Sequence, residues 1–130
     1  MKLPDWLPVY GQQEKGKQPA ETLEQVTFFN RLRDQYPDTY GLIAIHVRNE
    51  GKRTWQAADR EKAEGMVTGA ADIIIPGNPS LVIEMKSKSK TAKISKEQIA
   101  YLEAAKKAGS MVCVAFGADG ATMAFNEWNK

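Results

Sequence analysis

The strongest constraint on the fold is a pair of short apolar runs divided by a rigid turn. Asp72-Ile-Ile-Ile75 and Leu81–Lys86 flank Pro76-Gly77-Asn78-Pro79. Isoleucine and valine favour strands, and the proline-glycine cluster stops both runs. The pattern predicts two strands, 72–75 and 81–86, that pair as a hairpin. Side chains alternate along a strand, so Glu84 and Lys86 share one face, with Cα atoms roughly 7 Å apart. Leu81, Ile83 and Met85 fill the other face. The hairpin brings Asp72 beside Glu84, placing two carboxylates and one ammonium on one side of a sheet.

The remaining elements follow from periodicity. Pro19 stands where a helix can begin, and Leu23, Val26, Phe28, Phe29 and Leu32 make an apolar stripe that Pro37 ends. Leu42–Val47 reads as a strand, and 56–64 as a short helix closed by Gly65. Ser95 opens a helix to about Ala108, stopped by Gly109, and Met111–Phe116 is an apolar strand. Residues 117–130 fit either a short strand or a helix. Residues 1–18 are polar, with two prolines and two glycines, and read as a loose N-terminal arm before a domain at 19–130. The chain has 130 residues, enough for one domain with its own core. The expected class is α/β, a mixed sheet flanked by helices.

Several function classes are excluded. No apolar run approaches the length of a membrane span, and the start lacks the apolar core of a signal peptide. The single cysteine, Cys113, precludes an internal disulfide and a multi-cysteine zinc site, so a reducing, cytoplasmic setting is the simplest reading. Cys113 sits in an apolar strand and reads as a core residue. No phosphate-cradling Gly-x-x-x-x-Gly-Lys motif exists, and no organic cofactor is expected. The net charge is only +2, but from Lys86 to Lys107 seven lysines face two acids. That stripe suits a phosphate backbone or simply a solvated surface.

Two carboxylates held together repel unless one takes up a proton or a cation joins them. A hard divalent cation prefers oxygen ligands, and metal-assisted phosphodiester hydrolysis uses this combination with a lysine nearby. Taken singly, Asp72 also reads as a turn residue, and Glu84 with Lys86 as a solvated strand face.

Together with other motifs, the sequence resembles the VRR-NUC domain of the PD-(D/E)XK nuclease superfamily, over about residues 21–118. Glu21-x-x-x-Gln25-x-x-Phe28-Phe29 is similar to the family's first-helix motif. Asn49-Glu50-Gly51-Lys52-Arg53 is similar to its Asn-Gly-Gly-x-Arg loop, with Glu50 in place of a glycine. Gly65-x-x-x-Gly69-Ala70-Ala71-Asp72 is similar to its Gly-x-x-x-Gly-x-Pro-Asp, with Ala71 in place of proline. Glu84-Met85-Lys86, Ser95-x-x-Gln98 and Gly109 match the rest.

The resemblance implies an αβββαβ, restriction-endonuclease-like core and a Mg²⁺- or Mn²⁺-dependent DNA endonuclease. Asp72 and Glu84 would hold the metal with the Met85 backbone carbonyl. Lys86 would position water or stabilise charge. Glu21, with Glu24 as the alternative, would add a helix carboxylate, and Gln98 would orient ligands. Stand-alone members resemble homodimers acting on branched DNA such as four-way junctions, so DNA and a second copy are the implied partners.

Ser95-x-x-Gln98 is also a capping box, and one amide is not expected to serve both the cap and the site at once. Lys88, Lys90 and Lys93 are candidate phosphate contacts, with Arg48, Lys52 and Arg53 on an opposite wall. Trp55 suits either base stacking or a dimer interface. His46, the lone histidine, is left out of the site. Rival readings are a DNA-binding module that does not cut, and a hydrolase of RNA or other phosphodiesters.

Overall fold

The computed structural model describes residues 2–48 and 54–130. Val9–Tyr10 forms β1, Glu21–Gln35 α1, Tyr40–Ile43 α2 and Ile45–His46 β2. Then come α3 (Trp55–Ala63), β3 (Ile73–Ile75), β4 (Leu81–Lys86), α4 (Lys96–Lys107), β5 (Met111–Phe116) and α5 (Gly117–Trp128). The strands form one mixed sheet in the order β1-β5-β4-β3-β2. β4 is central, antiparallel to β3 and parallel to β5. Within it lies the expected αβββαβ frame, as α1, β2, β3, β4, α4 and β5.

The alternation on β4 decides which layer each face meets. Leu81, Ile83 and Met85 are fully buried against Phe28, Phe29 and Leu32 of α1 and the alanines and Phe125 of α5. Val82 faces the opposite layer with Val112, Val114 and Leu102 of α4. The result is three layers: α1 and α5, the sheet, then α4. Each large apolar side chain sealed this way contributes roughly 1.5–3 kcal/mol.

Three segments differ from the sequence reading. The strand expected at 42–47 shrinks to β2. After Pro37 the chain folds back on α1, and the Thr39 and Gly41 N–H groups donate to the Tyr36 carbonyl. That satisfies a helix-end carbonyl, and the following turn consumes Tyr40–Ile43. Residues 117–130, undecided between strand and helix, are the helix α5. The N-terminal stretch, expected as a loose arm, instead packs. Leu7 is buried, Val9 and Tyr10 align with Val114 and Ala115, and the Val114 N–H donates to the Pro8 carbonyl at 3.0 Å. A two-residue edge strand draws its pairing from β5, so local periodicity does not reveal it.

Candidate active site

The β3–β4 pairing ends at Ile73 opposite Ile83. Beyond that point the strands carry Asp72 and Glu84 side by side, where backbone pairing gives way to side-chain bonding. The Met85 N–H donates to Asp72 Oδ2 at 3.0 Å. In an extended strand the N–H and C=O of one residue point to the same side. The Met85 carbonyl therefore faces the Asp72 side of β4.

Glu84 is only 1% exposed. Its Oε2 accepts from Gln98 Nε2 at 3.2 Å and lies 3.5 Å from Lys86 Nζ. Its Oε1 is buried and meets no N–H or O–H donor while both acids are ionised. Burial, first, then the charge and hydrogen bond of Asp72, push the Glu84 carboxyl up to about 9, with Glu21 adding and Lys86 opposing. One lysine cannot offset both the desolvation and a neighbouring acid. Without a cation the two acids hold one proton between them.

Glu21, Asp72, Glu84, Lys86 and Gln98 all line one cavity of about 300 Å³. Gly69 closes one wall. It takes φ +82°, and a Cβ there would lie 2.5 Å from the Glu97 backbone, so only glycine lets this loop approach the start of α4.

Gln98 resolves differently from the sequence expectation that one amide serves a single partner. Its Oε1 accepts from the Ser95 N–H at 2.9 Å, completing the capping box, while its Nε2 donates to Glu84. An amide has an acceptor end and a donor end, and both are used.

Of the two helix acids, Glu21 lines the cavity. Glu24 is buried outside it, against Gly117, with Lys88 Nζ 4.0 Å from its Oε2. Lys88 is thereby half-buried and paired, whereas Lys90, Lys93 and Arg48 are exposed. Arg48 borders a separate groove with Phe29 and Arg33. Lys52 and Arg53, with the whole Asn49–Arg53 motif, lie outside the described residues. Trp55 is almost fully exposed, and Cys113 is fully buried.

His46 was not expected near the site. Its Nδ1 lies 3.1 Å from the Asp72 carbonyl, which also accepts from the Val47 N–H at 2.6 Å. Edge strand β2 thus anchors the backbone that carries Asp72. Its only sequence signal is a place on the strand preceding the hairpin.

Among the described residues, no three acidic, histidine or cysteine side chains form a ready metal centre. The donor set still fits a hard cation, because it holds paired carboxylates and a buried carboxylate oxygen that meets no donor once both acids are ionised.

Fold and site together define a mixed α/β domain with an acid–acid–lysine cluster at the end of its central hairpin. The chain is similar to a solved "VRR_NUC domain protein", at 22% identity and a TM-score of 0.72. The match covers 88% of this chain and 90% of that one. The fold is that of a VRR-NUC domain, as the resemblance in sequence implied. No protein-family model matches the sequence, and no curated protein matches it. No helix among the described residues is long and apolar enough to cross a membrane.

Proposed function

We propose that the chain is a divalent-metal-dependent DNA endonuclease. The observation that carries this reading is the buried Glu84 carboxylate, whose Oε1 meets no donor once both acids are ionised, beside Asp72 in a cavity shared with Lys86. A buried carboxylate oxygen without a partner costs roughly 1–3 kcal/mol, more when charged. Such a group is retained where a ligand satisfies it. The fold of the VRR_NUC domain protein supports the same reading.

Asp72 and Glu84 would hold Mg²⁺ or Mn²⁺ with the Met85 carbonyl, and Glu21 would supply a further carboxylate. When bound, such an ion polarises a phosphoryl oxygen and makes a bound water more acidic. Lys86 Nζ, held at 3.5 Å by Glu84, orients the attacking water or meets the charge developing on phosphorus. Gln98 keeps the Glu84 carboxylate turned into the cavity. The resemblance supports branched DNA as substrate and a homodimer as the acting form, since two sites related by a two-fold axis cut two symmetric strands.

The test uses a labelled four-way junction and a matched linear duplex, with Mg²⁺, Mn²⁺ or EDTA. We expect metal-dependent cutting, with symmetric nicks in the junction. Asp72→Ala, Glu84→Ala and Lys86→Ala each remove cutting while the fold and DNA binding persist. Binding without cutting of any DNA under any of these ions would overturn the enzymatic reading.

A further inference from the structure

Two stretches 76 residues apart in the chain are stitched together beside the site. The loop Ser87–Lys93 leaves β4 directly after Lys86 and runs toward the Ser95 cap that opens α4 at Lys96. The N-terminal segment Gln13–Gln18 lies along it. Gln13 Nε2 donates to the Ser89 carbonyl at 3.0 Å and the Ala92 carbonyl at 3.2 Å. The Glu14 N–H donates to the Lys88 carbonyl at 2.7 Å, and Glu14 pairs in parallel with Ser89. Beyond that single bridge both chains turn, at Lys15–Gly16 and at Lys90–Thr91. Gln18 Nε2 then donates to the Lys15 carbonyl at 3.0 Å, closing a turn that carries Lys17.

This arrangement gathers like charge. The two stretches hold five lysines and one acid, Glu14. Lys88 is neutralised by Glu24. Lys15, Lys17, Lys90 and Lys93 are exposed, and none has an ion pair among the described residues. Ammonium groups held together by backbone hydrogen bonds repel one another unless an anion lies across them. A nucleic-acid backbone is the polyanion that suits several unpaired lysines on two joined stretches, one of which leaves β4 directly after the cavity-lining Lys86.

We propose that Gln13–Gln18 is half of a phosphate-binding rim, completed by Ser87–Lys93, that grips the DNA backbone next to the site. The identity of the ligand rests on the nuclease reading; the docking of the segment does not.

The experiment measures binding of the full chain to a labelled DNA duplex in EDTA across a salt series, so that no cutting is required. Each lost phosphate contact lowers the slope of log K against log salt by about 0.9. Lys15→Gln/Lys17→Gln is expected to lower it by 1 to 2 and weaken binding several-fold at low salt. Gln13→Ala, which releases the segment and keeps every charge, should shift the slope the same way by less. Lys107→Gln, at the far end of α4 and paired with Glu103, should change neither. An unchanged slope in the double variant, or an equal change in Lys107→Gln, overturns the rim and leaves the nuclease reading standing. Absence of metal-dependent cutting with the expected slopes overturns the nuclease reading and leaves the rim.

Discussion

Replacing Glu84 by glutamine in metal-free protein should change how stability depends on pH. Unfolded, this carboxyl titrates near 4.5; folded, it keeps its proton to about 9. Between those values the folded state binds one proton more than the unfolded state. Stability is then fully present below pH 4.5 and is lost as pH rises toward 9. One extra proton corresponds to a little over 1 kcal/mol per pH unit, or about 3 kcal/mol between pH 6 and 8. Glu84→Gln has no such titration, and its amide oxygen still accepts from Gln98. Urea unfolding in EDTA at pH 6, 7 and 8 should show wild-type stability falling and the variant nearly level over that range. Ionisable groups remote from the site are common to both proteins and cancel in the difference. Adding Mg²⁺ at pH 8 should restore the wild type, by about 2.7 kcal/mol at one hundred times its dissociation constant, and the variant much less. Parallel curves in EDTA for the two proteins would refute the shared-proton account of the site.

Three further outcomes follow from the geometry. Gln98→Ala and Ser95→Ala both break the capping box and should each cost about 1 kcal/mol by urea unfolding. Only Gln98→Ala should also lower cleavage, and equal losses of cleavage would deny Gln98 its hold on Glu84. Gly117→Ala should destabilise by at least 1–3 kcal/mol in thermal melts, since φ is +74° and the new Cβ meets Glu24 Oε2. Cys113, fully buried with its thiol pushed up to about 12 by burial, should resist an aqueous thiol reagent until the chain unfolds.

The parts of the fold legible in the sequence are those whose signal is local and repeated. β4 and β5 occupy the stretches expected, Leu81–Lys86 and Met111–Phe116, because each is a continuous apolar run between turn residues. α4 begins after Ser95 because the cap is written in four residues. The acid pair was legible because strand alternation and hairpin register are both integer rules. Ile73 opposite Ile83 leaves Asp72 no place except beside Glu84.

What was not legible depends on contacts between distant segments. β1 exists because β5 offers it an edge. Glu24 and Glu21 look alike on the first turns of α1, and only the approach of Gly117 at the start of α5 buries one of them against Lys88. That burial also withdraws Lys88 from the basic loop. The basic charge beside the site then depends on whether the N-terminal segment docks, through the Glu14 N–H to the Lys88 carbonyl and two hydrogen bonds from Gln13 to carbonyls of that loop. A glutamine in a polar, glycine-punctuated stretch carries no sequence signal for that role. Its importance comes from bridging the Ser89 and Ala92 carbonyls of a lysine-rich loop from a segment 76 residues away in the chain.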